Sequence, residues 1–111
     1  MVFEMTIIQD VSIVTIPQRL DADTAPGLES EVRAVLARSP KKMIFDFSRT
    51  DYIASAGLKA LLTISRDMMK TGGQVALAGL RPAVYRVFEI AGFTSIFTIC
   101  QSREEALQKM K

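Results

Sequence analysis

The chain has 111 residues, 49% of them apolar and 23% charged, with a net charge of +2, one cysteine and no histidine. That length fits one domain around one core, and the composition excludes an unstructured chain. A lone thiol without histidine excludes an internal disulfide, Cys-His catalysis and most metal sites, and the scattered basic residues, with Lys41-Lys42 the only adjacent pair, argue against a nucleic-acid patch.

In chain order, residues 2 to 8 and 11 to 17 are rich in Val, Ile, Thr and Phe and are interrupted at Gln9-Asp10. This predicts an antiparallel pair closed by a tight turn, with Pro17 ending the second strand. Thr24 is a candidate N-cap, with Pro26 in the first turn of a helix. Its Leu28, Val32, Val35 and Leu36 recur at helical spacing, and Ser39-Pro40 stops it. Met43 to Phe47 is an apolar run without helical spacing, hence a buried strand.

A second helix is expected to start near Ser55, with Leu58, Leu61, Leu62, Ser65 and Met69 on one face and Gly72-Gly73 as its stop. Val75 to Ala78 reads as another buried strand. A helix from about Pro82 to Ala91 follows, ended by Gly92, with Val84, Val87, Phe88 and Ala91 on one face. A short strand over Ile96 to Cys100 and a final helix opened by the Ser102-x-x-Glu105 capping box complete the chain. The order β-β-α-β-α-β-α-β-α predicts an α/β single domain over 1–111. Its sheet is mixed, of about five strands, with parallel neighbours joined by right-handed crossovers and about four helices covering at least one face.

No run approaches the ~18 apolar residues of a membrane span, and the N-terminus lacks the pattern of a signal peptide, so a cytoplasmic protein is expected. Neither a Walker pattern nor G-x-G-x-x-G is present, so no cofactor is expected. Asp21 and Asp23 alone make a poor metal pair, and a solvated capping loop is the better account of them. Of the apolar residues Tyr85, Phe88, Ile90 and Phe93, the phenylalanines are expected in the core and Tyr85 or Ile90 outside. Cys100 is expected to be a buried small hydrophobe. So apolar a composition in so small a domain also leaves some apolar area for a partner or self-association face.

The informative stretch runs Asp46-Phe47-Ser48-Arg49-Thr50-Asp51-Tyr52-Ile53-Ala54-Ser55-Ala56-Gly57-Leu58. A buried strand ends, a polar loop follows, and a serine opens a helix, at the sheet edge where α/β proteins dock ligands and partners. As an N-cap, Ser55 is expected to lie outside the helix beside unpaired N–H groups, where a phosphate would be tolerated. Ala56 and Gly57 leave little bulk around its hydroxyl. A serine in this place is also fully explained as a cap, whose loss costs about 1 kcal/mol.

Asp46-Phe47-Ser48 followed by Tyr52-Ile53-Ala54-Ser55-Ala56-Gly57-Leu58 resembles the signature of the STAS family of bacterial anti-sigma factor antagonists. Leu20-Asp21-Ala22-Asp23-Thr24-Ala25 is similar to the family's Gly-x-Leu-Asp segment, and Gly72 to Leu77, Ile90 to Phe97 and Ser102 to Leu107 resemble later portions.

The resemblance implies partner switching without catalysis. An anti-sigma factor that is also a serine kinase binds the unphosphorylated form and releases its sigma factor. Phosphorylation of Ser55 breaks the complex, and a serine phosphatase resets it. Partner contacts would fall on Asp21, Asp23, Thr24, Asp51, Ala54, Ser55, Ala56, Gly57 and Lys59, with the three aspartates forming an acidic patch that a phosphate enlarges. Monomer and homodimer both stay open, as does phosphate on Ser48 or Thr50.

Two departures stand out: Ala54 replaces the aspartate frequent before the serine, and the usual glycine is replaced around Gln18-Arg19. An alternative is a constitutive scaffold subunit of a transporter or stress-signalling complex, with Ser55 a cap. An enzyme would lack any base–nucleophile pair.

Overall fold

A computed structural model describes residues 3–38 and 41–110. The stop assigned to Ser39-Pro40 lies outside them, as does Val2 of the first predicted strand. The elements are β1 (Met5–Ile8), β2 (Val11–Thr15), β3 (Arg19–Leu20), α1 (Ala25–Leu36), β4 (Lys42–Asp46), β5 (Tyr52–Ile53), α2 (Ser55–Lys70), β6 (Gln74–Ala78), α3 (Pro82–Ile90), a 3-10 turn (Phe93–Ser95), β7 (Thr98–Cys100) and α4 (Arg103–Lys109).

The predicted hairpin forms with Gln9 and Asp10 both at positive φ, 50° and 61°. This is the type I′ geometry that matches the twist of the flanking strands. From β2 onward every neighbour in the sheet is parallel, in the order β1-β2-β4-β6-β7. Each parallel connection carries a helix, as a crossover requires.

Register sorts the strand residues onto two faces. Val14, Phe45 and Leu77 belong to a core with Leu28 and Val32 of α1, Leu61, Ile64 and Met68 of α2, and Val84 and Phe88 of α3. Their chain neighbours Ile13, Ile44 and Ala76 point the other way, against Ala106 and Met110 at the C-terminal end. Both faces are therefore covered, three helices on one and α4 on the other, which is why β4 is buried along nearly its whole length.

Three local expectations are corrected. Residues 19–20 and 52–53 form a separate two-stranded parallel pair, β3 with β5, too short to carry a strand-like pattern. On α2 the buried face runs through Gly57, Ala60, Leu61, Ile64, Ser65 and Met68. Met69 is 68% exposed, because the helix presents 57, 61, 64 and 68 to the sheet, a stripe centred off the one assumed. The last strand is only Thr98–Cys100, since Phe93–Ser95 forms a 3-10 turn that seats Phe93 and Phe97 against Phe88. As anticipated, Phe88 is buried while Tyr85 and Ile90 are exposed, and the Ser102 hydroxyl accepts the Glu105 N–H. Among the described residues no helix is long and apolar enough to cross a membrane.

Candidate functional site

The loops following β2 and β4 meet beyond the carboxyl ends of the parallel strands. The loop after β4 is pinned along its length. Asp46 Oδ1 accepts the Ser48 N–H at 2.9 Å, while its Oδ2 takes Nε and Nη2 of Arg103 in α4 at 3.1 and 2.8 Å. Burial pushes the Asp46 carboxyl up, but the Ser48 N–H and hydroxyl and the Arg103 guanidinium outweigh it and hold it below its ordinary value. Thr50 is fully buried, its hydroxyl donating to the Pro17 carbonyl at 2.9 Å. Asp51 accepts from Gln18 Nε2 at 2.7 Å and pairs with Arg81, whose Nε also donates to the Ser48 carbonyl at 3.0 Å.

The loop after β2 folds on its own aspartate. Asp21 Oδ1 accepts the N–H groups of Asp23 and Thr24 at 3.0 and 3.2 Å, and its Oδ2 pairs with Arg19 Nε at 3.3 Å. Some desolvation pushes the Asp21 carboxyl up, but those N–H donors, Arg19 and the Thr24 hydroxyl hold it below its ordinary value. Thr24 occupies the N-cap position of α1 without capping it. Its hydroxyl instead accepts the Asp21 N–H at 2.9 Å and donates to the Arg19 carbonyl at 3.0 Å. The sequence expectation of Thr24 as the capping side chain is thus corrected. The first N–H of α1, that of Ala25, goes to the Asp21 backbone carbonyl at 2.8 Å.

The two loops join through β3 and β5, where Arg19 pairs with Tyr52 and Leu20 with Ile53, and the ladder is extended by the Ala54 N–H to the Leu20 carbonyl at 2.9 Å. α2 opens there. Its N-cap is Ala54, in extended conformation, and Ser55 is the first helical residue, one position inside the helix from where it was expected. Ser55 is exposed, and among the described residues its hydroxyl has no hydrogen-bond partner. The Ala54 carbonyl accepts from Gly57 and Leu58, leaving the N–H groups of Ser55 and Ala56 pointing out of the helix end.

Gly57 has a different reason for being glycine than bulk around the serine. It is buried, and a Cβ there would lie 2.8 Å from both the Leu20 carbonyl oxygen and its Cγ. The missing side chain admits the β3 backbone, not a partner. Lys59, one turn on, is exposed, and Ala56 is half-buried. The acidic patch expected from Asp21, Asp23 and Asp51 is reduced to the exposed Asp23, because Asp21 is held by Arg19 and Asp51 by Arg81. The nearby hydroxyls separate as well: Ser48 is exposed while Thr50 is sequestered. Cys100 is buried and burial pushes its thiol up, so it stays protonated.

The family model described as STAS domain matches residues 2–106. The chain belongs to the STAS domain family. BtrV of Bordetella bronchiseptica, provisionally named an anti-sigma factor antagonist, is 37% identical to this STAS chain over 92 residues, 83% of this chain and 79% of its own. The crystal structure of an anti-sigma factor antagonist from Mycobacterium paratuberculosis has a TM-score of 0.89 at 28% identity, covering 97% of this chain and 92% of that one. The Bacillus anti-sigma factor antagonist SpoIIAA in its unphosphorylated form has a TM-score of 0.86, covering 98% and 96% of the two chains. At 18% identity that likeness speaks for the fold alone.

Four residues of this STAS edge were missed in the sequence: Asp46 and Arg103, 57 positions apart, and Arg81 and Arg19. The Arg19 guanidinium lies 4.5 Å from the centre of the Tyr52 ring. Only Asp46 had a signal, as the first residue of the Asp-Phe-Ser motif. The arginines sit at helix and strand ends where any exposed cation is unremarkable.

Proposed function

We propose that this protein is an anti-sigma factor antagonist that works by partner switching in the cytoplasm, with Ser55 as the phosphorylated residue. Unphosphorylated, it binds an anti-sigma factor of the serine-kinase type and frees the sigma factor. Phosphorylated by that kinase, it lets go, and a serine phosphatase restores it. It is substrate and binder, not catalyst.

The observation that carries this reading is the state of the Ser55 hydroxyl: exposed, at the first position of a sixteen-residue helix, and unengaged as a cap. A serine kept only for capping would sit at residue 54 and accept an N–H of the first turn. At its actual position the hydroxyl is free for an incoming phosphoryl group. The phosphate formed would face two open N–H groups and the positive end of the helix dipole, so modification needs no refolding. SpoIIAA, which shares the fold, is known in both unphosphorylated and phosphorylated forms.

Release follows from charge. A phosphate brings about −1.5 to −2 charges at neutral pH to a rim whose carboxylates Asp21 and Asp51 are already paired. The new charge is therefore the dominant unpaired one, and a coupling of about 1–3 kcal/mol changes affinity by roughly 5- to 150-fold. Ala54 leaves no carboxylate beside the serine, so activation of the hydroxyl falls to the kinase.

The test is affinity capture from lysate of the native organism with wild type, Ser55→Ala and Ser55→Asp as baits, followed by mass spectrometry of partners and bait phosphosites. Wild type and Ser55→Ala should retain a serine-kinase anti-sigma factor that Ser55→Asp loses, with phosphate mapped to Ser55. One partner held equally by all three baits, without phosphate, identifies a constitutive subunit instead.

A further inference from the structure

At the end of the sheet away from Ser55, a cavity of about 270 Å³ opens at the amino ends of β6 and β7. Met69 of α2, Val75 of β6, Ile96 and Phe97 before β7, and Met110 after α4 give it apolar walls. Met69 and Ile96 are 68% and 56% exposed, so two large apolar side chains on the same cavity stand open to water. Neither belongs to the clusters of buried residues that cover the two faces of the sheet.

Ser65 borders the same cavity and is only 6% exposed. It lies on the buried face of α2 between Leu61 and Met68, where packing against the sheet calls for an apolar residue. Among the described residues its hydroxyl has no hydrogen-bond partner. No fully buried side-chain oxygen or nitrogen among those residues lacks a partner. The Ser65 hydroxyl therefore reaches open space, and the open space that Ser65 borders is the cavity. Serine is a weaker helix former than alanine, and a hydroxyl in a buried place is costly unless bonded. Packing alone would favour alanine here.

Size and charge define what fits. A dry apolar cavity of about 150 Å³ holds benzene, so this one has room for a substituted ring or short chain of about ten heavy atoms. The charged residue in its lining, Lys109, is paired with Glu105 at 3.8 Å, and Lys70 beside Met69 is paired with Asp67 at 3.9 Å. Charge at the cavity is thus balanced and selects no ion. We propose that this cavity binds a small uncharged amphiphile, a ring or short chain carrying one hydroxyl or carbonyl group. The polar group bonds to Ser65 Oγ and the apolar part packs on Met69, Ile96 and Phe97. Met69 and Met110 suit such a site, because unbranched thioether side chains adjust to the shape of a ligand. The assignment does not depend on the partner-switching reading.

The test titrates isotope-labelled protein, followed by amide NMR, with three probes of one shape. These are 4-ethylphenol, ethylbenzene, which lacks the hydroxyl, and 4-ethylbenzoate, which carries a charge. 4-Ethylphenol should give saturable shifts centred on residues 65, 69, 73–75 and 96–98. It should bind about tenfold more tightly than ethylbenzene, the worth of one hydrogen bond. In Ser65→Ala the two should bind equally, with a melting temperature that holds or rises. Shifts that do not saturate, or that scatter over the surface, overturn the site. Equal affinity of wild type for 4-ethylphenol and ethylbenzene overturns the role of Ser65. So does a lowered melting temperature in Ser65→Ala, which would give the hydroxyl a structural bond. Tighter binding of 4-ethylbenzoate than of 4-ethylphenol overturns the uncharged class.

Discussion

Asp46 shows how much one side chain organises at the carboxyl edge. Its residue is 7% exposed, and a charge so placed is tolerated only when its lone pairs are filled. One oxygen fixes the start of the loop that leads to Ser55, and the other anchors α4 through Arg103. Asp46→Asn removes the charge from both contacts and should cost about 1.5–3 kcal/mol at neutral pH, the range for hydrogen bonds to charged groups. Because folding lowers the Asp46 pKa, this contribution is complete above its ordinary value of 3.8 and is lost as pH falls through the lower folded value. Urea midpoints of the two proteins should therefore stay apart at pH 7 and at pH 5, and converge only below 3.8. A gap that closes near neutrality would assign the effect to another group.

At the scale of elements, the site depends on how closely α2 approaches β3. Alanine is favoured over glycine in a helix by about 1 kcal/mol, so propensity alone predicts that Gly57→Ala stabilises. The added methyl would, however, lie 2.8 Å from a backbone oxygen, which cannot swing away as a side-chain end can. Overpacking of that kind costs about 1–3 kcal/mol and should win. The expected outcome is a lowered urea midpoint, with amide shifts concentrated in residues 19–23 and 54–58. A raised midpoint would mean that the contact relaxes freely and that glycine serves access to Ser55 after all. The same close approach accounts for Ala54 at the cap: its N–H is committed to Leu20, so Ser55 falls inside the helix with its hydroxyl unused.

For the molecule as a whole, the carboxyl edge is tied together by an aromatic cluster. Phe88 is fully buried and meets Phe47, Phe93 and Phe97 edge-on at 5.7 to 6.3 Å between ring centres. It joins α3, the 3-10 turn before β7 and the residue just after β4. Truncation to alanine should cost about 3–5 kcal/mol, a large part of the ~5–15 kcal/mol available to a domain. Far-UV circular dichroism and aromatic NMR signals should report one coincident urea transition at a lower midpoint. Separate transitions would show that α3 unfolds on its own.

Much of this was legible in the chain. Hydrophobic spacing and punctuation placed the hairpin, four helices and the buried strands, because burial of apolar residues at period two or 3.6 is a local property of sequence. The Asp-Phe-Ser and Ser-Ala-Gly-Leu residues marked the loop after β4 and the start of α2, where Ser55 lies exposed. What the tertiary structure decided was how groups distant in sequence pair. Two of the three carboxylates that read as a free acidic patch, Asp21 and Asp51, are neutralised by Arg19 and by Arg81, thirty positions after Asp51. The glycine that read as clearance is a contact with Leu20, and the α2 face is rotated onto Met68. A charge or a missing methyl has meaning only through what lies within a few ångströms of it, and only the folded chain sets those distances.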